Sequence, residues 1–203
     1  MAEQIFGIDY GSKLAGTSVV ARYNAGEVSL YQSEKKKSAD DFILQLLAEY
    51  SSTNDIIALD APLSLPRVYS EPEPAKSIDG DFHYRACDRE VNAMSPLFLG
   101  GLTARAMYLN AQLKHKGLRV YEVYPKMVAH KEGLAELYNM RKKEATLKHK
   151  VALLLAEKYE FNLSEFPENL HALDALLALA GGMKIKKGQA AAWGNASEGL
   201  IYG

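Results

Sequence analysis

Phe6-Gly7-Ile8-Asp9-Tyr10-Gly11-Ser12 is the stretch that decides the fold, because it carries a strand, an acid and a turn in direct succession. The apolar run from Gln4 to Tyr10 predicts a buried strand, and the glycine after it predicts a turn. A carboxylate buried alone is costly, so Asp9 at the strand end requires a metal, a cation or solvent as a partner. An ordinary acid in a hairpin turn is the alternative, since Asp is common in turns.

The next segments extend this opening into a sheet with a helix on it. The runs from Ala15 to Arg22 and from Glu27 to Gln32 predict two strands that pair with the first as antiparallel hairpins. Ser38, followed by two acids, is a typical helix cap. The fully apolar run from Ile56 to Leu59 predicts a strand buried on both faces.

The remainder is predicted to be mostly helical. A Pro-rich loop covers about 61–84, and a loop of that length in a compact domain is usually functional or mobile. The later elements are helices over 86–94, 102–116, 142–159 and 168–181, with strands over 118–124 and 199–202. We expect the Gly181-Gly182 pair to stop the last helix. Because the later strands need helical crossovers, they should run parallel, and residues 1–203 should form a single α/β layer sandwich.

Three more acids occupy places where a carboxylate needs an explanation. Asp60 ends the second buried strand just before Pro62, and sites in open α/β sheets gather beyond the carboxyl ends of strands. Glu122 interrupts an otherwise apolar or aromatic strand, where an edge position would be harmless and a central one would need a partner such as Lys126 or Arg119. Asp174 lies in a helix that is apolar nearly all round and is therefore packed on the sheet.

His171 precedes Asp174 by one turn on the same helix face. It is a candidate ligand or orienting group for the carboxylates, and a hydrogen-bonded core or capping histidine is the alternative.

Composition excludes several classes of protein. With 48% apolar and 24% charged residues the chain is an ordinary globular one, and no apolar run approaches the roughly 20 residues of a membrane-spanning helix. A single cysteine, Cys87, excludes an internal disulfide, and the opening MAEQIFGIDYG lacks the basic region of a secretory signal. We therefore expect a cytoplasmic protein without membrane contact.

The charge is balanced overall but uneven along the chain. The net charge of −1 excludes a strongly basic protein that coats nucleic acid. Eleven acids face four bases from Ser38 to Glu90, whereas ten Lys or Arg face four acids from Lys114 to Lys150. The pattern fits a basic rim beside an acidic pocket, or simply two solvated faces.

Several motifs together resemble a known superfamily. Gly7-Ile8-Asp9-Tyr10-Gly11-Ser12-Lys13 resembles the opening motif of RuvC-like and YqgF-like nucleases of the ribonuclease H-like superfamily. The whole chain is more similar to the domain of unknown function 429 family, described as predicted nucleases of that fold. The shared motifs run almost end to end: Leu59-Asp60-Ala61-Pro62-Leu63, Arg85-Ala86-Cys87-Asp88-Arg89-Glu90, Tyr121-Glu122-Val123-Tyr124-Pro125, Leu173-Asp174-Ala175 and the tail Glu198-Gly199-Leu200-Ile201.

This resemblance implies a fold and a site. The fold would be a ribonuclease H-like three-layer sandwich with a mixed five-stranded sheet, the first three strands antiparallel and the rest parallel, flanked by helices. Asp9, Asp60, Glu122 and Asp174 would meet at one end of the sheet. Junction-cutting relatives often act as dimers, so a homodimer is a further expectation.

Clustered carboxylates suit a metal-dependent hydrolase. Hydrolysis of a phosphodiester needs an activated water and a neutralised leaving oxygen, which Mg²⁺ or Mn²⁺ can provide. These cations prefer carboxylate oxygen to thiolate. We expect Asp9 to bridge, Asp60 and Asp174 to flank it, and Glu122 to act as a ligand or to support one.

Substrate contacts are expected from basic residues near these acids. Lys13 follows the first strand, and Lys126 follows the strand of Glu122. Arg85 and Arg89 are candidate phosphate clamps, although pairing with Asp81, Asp88 or Glu90 is the alternative. Arg141-Lys142-Lys143 is predicted to open a helix, where positive charge is unfavourable unless a substrate contacts it.

The functional prediction is a metal-dependent nuclease acting on nucleic acid or another phosphate-bearing substrate. One alternative is a binding or regulatory module that keeps the acids without the chemistry. The other is phosphate binding of the actin or sugar-kinase type, whose hairpins have the form Asp-x-Gly-(Ser/Thr)-Lys but whose sites need two domains.

Overall fold

The computed structural model describes residues 4–70, 81–142, 144 and 146–203. Eight strands are assigned in that part of the chain: β1 (Ile5–Asp9), β2 (Val19–Asn24), β3 (Glu27–Gln32), β4 (Ile56–Asp60), β5 (Arg119–Glu122), β6 (Asn162–Leu163), β7 (Ala192–Asn195) and β8 (Gly199–Tyr202). The helices are α1 (Ala39–Tyr50), α2 (Ala86–Val91), α3 (Pro96–Leu99), α4 (Gly101–His115), α5 (Pro125–Lys131), α6 (Ala135–Met140), α7 (Thr146–Tyr159) and α8 (Leu170–Lys186).

The main sheet is mixed, as predicted. Its strand order is β5-β4-β1-β2-β3-β6, with β1, β2 and β3 antiparallel and with β4 and β5 parallel to β1. The expected α/β arrangement, with the first three strands antiparallel and the later ones parallel, is thereby confirmed. The sheet has six strands instead of five, because the two-residue β6 adds parallel to β3. The tail predicted as one edge strand is instead the second strand of a separate hairpin, β7–β8.

Two apolar clusters cover the two faces of this sheet and make three layers. Alternation along β1 sends Ile5 to one face, against α8 and α7, and sends Phe6 and Ile8 to the other, against α1 and α4. We call these the α8 face and the α4 face. The parity of each residue along a strand therefore decides which face its side chain joins.

Helix α8 lies unusually close to the sheet, which explains why one prediction was wrong. The helix does not stop at Gly181-Gly182 but continues to Lys186. A Cβ built on Gly181 would lie 2.7 Å from Val123 Cγ1, and one on Gly182 would lie 2.7 Å from Ile5 Cγ2. These glycines let the helix approach the strands and do not end it.

The segment after β5 also differs from prediction. Two short helices, α5 and α6, fill the stretch from 125 to 140, and α7 starts at Thr146, not at residue 142. Arg141 is therefore the C-cap of α6, where a cation complements the helix dipole, and it does not open a helix. Lys143 lies outside the described residues.

The predicted Pro-rich loop is described only at its two ends. A single 3-10 turn, Arg67–Tyr69, lies in the first part, and Tyr69 Oη donates a hydrogen bond to the Phe82 carbonyl in the second. The stretch 71–80 lies outside the described residues. Within the described part of the chain, no helix is both long and apolar enough to cross a membrane.

Candidate metal centre

Asp9 and Asp60 are neighbours at the carboxyl edge of the sheet. Each is the last residue of its strand, and the parallel register of β1 and β4 pairs their Cα atoms directly. Asp9 shares strand parity with Ile5, and Asp60 shares it with Ile56 and Ala58, so both carboxylates lie on the α8 face. The prediction from two strands that each end in Asp is realised in this pair.

Helix α8 adds Asp174 and His171 to this corner. The Asn169 side chain caps the helix by accepting a hydrogen bond from the Ala172 N–H. His171 is in the first turn, and its Nδ1 lies 2.8 Å from Asp9 Oδ2. Asp174, one turn later on the same face, has a carboxylate oxygen, Oδ1, that is buried and makes no hydrogen bond to a described residue.

The three aspartates destabilise one another as anions. Burial raises the pKa of Asp60 well above its usual range, and the negative charges of Asp9 and Asp174 raise it further. No hydrogen bond or ion pair joins the Asp60 carboxylate to another described residue. Burial likewise raises the pKa of Asp174 to about 6 against the opposing charge of Arg141. Positive charge is therefore in deficit at this corner.

In the pair formed by Asp9 and His171, the imidazole offsets part of the effect of burial on the carboxylate. Burial raises the pKa of Asp9, whereas the hydrogen bond and charge of the imidazole oppose that rise. The same hydrogen bond raises the pKa of His171 above its usual value. His171 is half-exposed, with 44% of its side chain accessible, so it links the buried carboxylate to solvent. Of the two possibilities left by the sequence, the structure favours a histidine that orients Asp9.

Arg141, which the sequence placed in a basic run at a helix start, lies beside Asp174. Its Nη2 lies 3.9 Å from Asp174 Oδ2, and its guanidinium carbon lies 3.4 Å from the centre of the Tyr138 ring. Arg141 Nε is buried and has no hydrogen-bond partner among the described residues. The basic run 141–143 was predicted to open a helix and contact substrate, whereas the structure places Arg141 at the end of α6.

Glu122 does not join the three aspartates on the α8 face. In the β4–β5 register Glu122 pairs with Leu59, which belongs to the α4 face. Val120, two residues before Glu122 in β5 and on the same side of the strand, belongs to that face too. Glu122 is therefore one residue out of phase with Asp60, although it is near enough to raise the pKa of that carboxyl. Of the four acids expected to meet, Asp9, Asp60 and Asp174 lie on the α8 face and Glu122 does not.

A buried ion pair accounts for Glu122 and corrects the expected role of Arg85. The Glu122 carboxylate accepts hydrogen bonds from Arg85 Nη1 and Nη2 at 2.7 and 2.6 Å and from the Leu63 N–H at 2.8 Å. Arg85 also bonds Asp88 through Nε and Nη2, and its side chain is fully buried. Arg85 is thus not placed to clamp a phosphate, and it replaces Lys126 and Arg119 as the partner of Glu122.

The other proposed substrate contacts lie outside the three-aspartate cluster. Arg89 is exposed, forms an ion pair with Asp81 and stacks on Tyr84, which is the pairing alternative named from the sequence. Lys13 is exposed in the turn after β1 and lines a different cavity, beside Asp40. Lys126 is half-buried in the first turn of α5.

The donor set fits a hard divalent cation in its chemistry. Asp9, Asp60 and Asp174 supply only oxygen ligands, with an unpartnered buried oxygen on Asp174 and an uncompensated carboxylate on Asp60. Over the described ranges, no three acidic, His or Cys side chains already stand close enough to hold one ion. To bind one ion together, the three side chains would have to move closer to one another.

Comparison with solved structures finds similar folds. The structure of RuvC from Thermus thermophilus aligns with a TM-score of 0.48 and 17% identity, over 92% of this chain and 97% of that one. The structure of T. thermophilus RuvC in complex with a Holliday junction substrate aligns with a TM-score of 0.44 and 18% identity, over the same shares of the two chains. Each likeness concerns the fold alone. No family model and no curated protein matches the sequence.

Proposed function

We propose that this protein is a metal-dependent phosphodiesterase that acts on nucleic acid, with Asp9, Asp60 and Asp174 as the ligands of Mg²⁺ or Mn²⁺. The observation that supports it is the grouping of three carboxylates from β1, β4 and α8 at one corner where acids outnumber cationic partners. Such an arrangement costs stability, and a bound cation would repay that cost. Membership of the domain of unknown function 429 family, based on the motif order, and assembly as a homodimer belong to the same proposal.

Each residue at the corner has a role in this proposal. A divalent cation held by these aspartates would supply Lewis acidity toward a phosphoryl oxygen and would lower the pKa of water enough to provide hydroxide at neutral pH. His171 fixes the orientation of Asp9 through its 2.8 Å contact, and its exposed edge can exchange a proton with solvent. Arg141 limits the repulsion at Asp174 and offers a positive charge to an incoming phosphate.

Glu122 is not a ligand in this proposal. Both of its oxygens already accept hydrogen bonds, and withdrawing it would leave the buried guanidinium of Arg85 with Asp88 as its remaining carboxylate partner. It supports the site instead, because its bond from the Leu63 N–H fixes the start of the loop that follows Asp60.

The test has a binding part and a catalytic part. Mn²⁺ affinity is measured by calorimetry, and cleavage is measured on labelled single strands, duplexes and four-way junctions of DNA and RNA. We expect Asp60→Asn to lower both by at least about 100-fold, since even residues that only support ligands typically cost 10–100-fold. Asp41→Asn, an exposed acid in the first turn of α1, is the matched control and should behave as wild type.

A second candidate, a binding module without turnover, is favoured by the absence of three pre-assembled ligands in the described residues. The same experiment separates the two. Metal binding that depends on Asp60, without cleavage of any substrate, supports the module. Cleavage that persists in Asp60→Asn refutes the proposed site.

A further inference from the structure

A small cavity lies beside Asp60, where β4 ends. Its volume is about 120 Å³, which is smaller than the pockets that enclose whole drug-sized ligands and suits one small group. Its polar lining consists of Asp60 and Tyr124 together with Arg85, Asp88 and Glu122, and the rest of its lining is apolar. The roles proposed for the corner do not involve Tyr124.

The hydrogen bonds of Arg85 occupy the buried part of this lining. All five N–H groups of its guanidinium donate: Nε and Nη2 to Asp88, Nη1 and Nη2 to Glu122, and Nη1 to Ser64. Arg85, Asp88 and Glu122 are all buried. A molecule in the cavity therefore finds its polar side-chain contacts at Asp60 and Tyr124, which are both partly exposed.

Tyr124 is held in place by its backbone and its ring. Its N–H donates to the Tyr202 carbonyl at 3.2 Å, and its own carbonyl accepts from the Val128 N–H at 3.1 Å at the start of α5. The ring packs against a small buried cluster that is formed by Cys87, Val91 and Ile201. The hydroxyl, in contrast, makes no hydrogen bond to a described residue. A fixed ring thus carries a donor that the described part of the fold does not use.

The Tyr124 hydroxyl lies near the charged groups of the corner. Tyr124 and Asp60 line the same cavity, which brings their side chains close together. Burial raises the pKa of Tyr124, the negative charges of Asp60 and Asp174 raise it further, and the positive charge of Arg141 opposes the rise. Because such effects weaken with distance, the phenol is close to all three charges. It is a hydrogen-bond donor at the edge of the proposed metal centre.

We propose that this cavity receives the phosphoryl group of the substrate and that the Tyr124 hydroxyl donates a hydrogen bond to one of its oxygens. The inference rests on the proposed phosphodiesterase function, and it makes Tyr124 a catalytic residue that contacts the substrate. Since every N–H group of Arg85 is engaged, Tyr124 is the side-chain donor that the described lining leaves for a ligand. A hydrogen bond to an anionic oxygen is stronger than one between neutral groups, and a donor already in place needs no reorganisation.

The charge of the lining makes binding of a phosphate conditional on a cation. Asp60, Asp88 and Glu122 are acids, whereas Arg85 is the one base in the described lining. An anion that entered this cavity by itself would be repelled at short range. We therefore expect inorganic phosphate to bind when Mg²⁺ is present and not in EDTA. This dependence distinguishes the cavity from a basic surface patch, which would bind phosphate under both conditions.

The test titrates inorganic phosphate into the protein by calorimetry, once with saturating Mg²⁺ and once in EDTA. We expect Tyr124→Phe to weaken phosphate in Mg²⁺ by at least about tenfold, the value of one hydrogen bond to a charged group, and to leave the affinity for Mg²⁺ unchanged. Cleavage should fall by a similar factor in kcat/KM. Tyr108→Phe, which removes an exposed phenol on α4, is the matched control and should behave as wild type.

Several outcomes overturn the inference. Phe keeps the ring on its apolar cluster, so the melting temperature of Tyr124→Phe should equal that of wild type; a lower melting temperature with unchanged phosphate affinity assigns the hydroxyl to the fold alone. A loss of Mg²⁺ affinity means that Tyr124 acts through the aspartates, and phosphate binding in EDTA places the anion elsewhere. Wild type that holds Mg²⁺ but no phosphate also overturns it.

Failure of the proposed function gives a different result. Wild type that binds no Mg²⁺ refutes the metal centre, and the inference falls with it. Phosphate binding that requires both Mg²⁺ and Tyr124, without cleavage of any nucleic acid, leaves the inference intact and refutes the nuclease. Cleavage that is equal in wild type and Tyr124→Phe does the reverse.

Discussion

Replacing Asp174 by Asn in the metal-free protein should make it more stable, although the substitution alters a proposed ligand. Asn keeps the shape and an acceptor oxygen for the Tyr138 hydroxyl, and it removes one negative charge from the corner. In the wild type, burial and the neighbouring Asp9 disfavour the ionised form, and Arg141 at 3.9 Å offsets them only in part. In the absence of a bound cation, the negative charge of Asp174 therefore lowers the stability of the folded protein.

The size of this effect follows from the pKa of the carboxyl. Burial raises the pKa of Asp174 from 3.8 to about 6, and each factor of ten in acid strength corresponds to about 1.4 kcal/mol. The ionised form thus costs about 3 kcal/mol of folding free energy above pH 6, or about 6–12 °C in melting temperature for a chain of this length. Below pH 3.8 both states hold the proton, so the advantage of the variant disappears there. Between these limits it grows with pH.

The assay is urea unfolding of both proteins in EDTA at several pH values, repeated with saturating Mn²⁺. Metal at 100 times its Kd adds about 2.7 kcal/mol to the wild type and should add much less to the variant, so the gap seen in EDTA closes. Glu132→Gln is the matched control. That buried carboxylate binds Lys158 and Lys184 at 2.7 and 3.2 Å, so its neutralisation should destabilise.

An Asp174→Asn protein that is less stable than wild type in EDTA at pH 8 would refute this reasoning. It would mean that Arg141 fully compensates the carboxylate, and the argument for a cation deficit would fail with it. A gap that does not change between pH 4 and pH 8 would equally contradict the assigned pKa shift.

Three further expectations concern the frame of the site. Arg85→Met leaves two buried acids without their cation and should lower the free energy of unfolding in denaturant by about 3–5 kcal/mol. Arg89→Met removes an exposed ion pair and should lower it by at most about 1 kcal/mol. Gly7→Ala places a Cβ 2.1 Å from Leu179 N and should destabilise by about 3 kcal/mol or more, seen as a lowered melting temperature. His171→Gln in EDTA should lose stability below pH 6.5, where the raised pKa of the imidazole keeps it charged, and should match wild type at pH 9.

The strands could be predicted because their signals are local. Apolar runs ended by an acid or a turn located β1, β3 and β4 within a residue or two, and the crossover rule gave their directions. The end of α8 could not be predicted in the same way. Gly181 and Gly182 resemble a helix stop in sequence, and only the close approach of the helix to Val123 and Ile5 gives them their actual role.

The part of the candidate site that lies at the ends of strands could be predicted from the sequence. Asp9 and Asp60 could be paired from sequence because each ends its strand, and the carboxyl ends of parallel neighbouring strands lie at the same edge of a sheet. The face of Glu122 depends on the β4–β5 register, which a one-residue shift reverses and which no local pattern specifies. Arg141 depended on an element boundary, and boundaries are the least certain part of such predictions.

The division of the acids between the two faces of the sheet has a functional consequence. Glu122 and Asp88 both hydrogen-bond to the buried guanidinium of Arg85, and that assembly anchors the residues after β4. On the α8 face, three aspartates share a distant guanidinium and one imidazole. Buried acids serving only the fold would be expected to resemble the first group. At the corner where β1 and β4 end, Asp60 has no cationic partner among the described residues and Asp174 keeps an unpartnered oxygen, so binding of a cation there gains free energy.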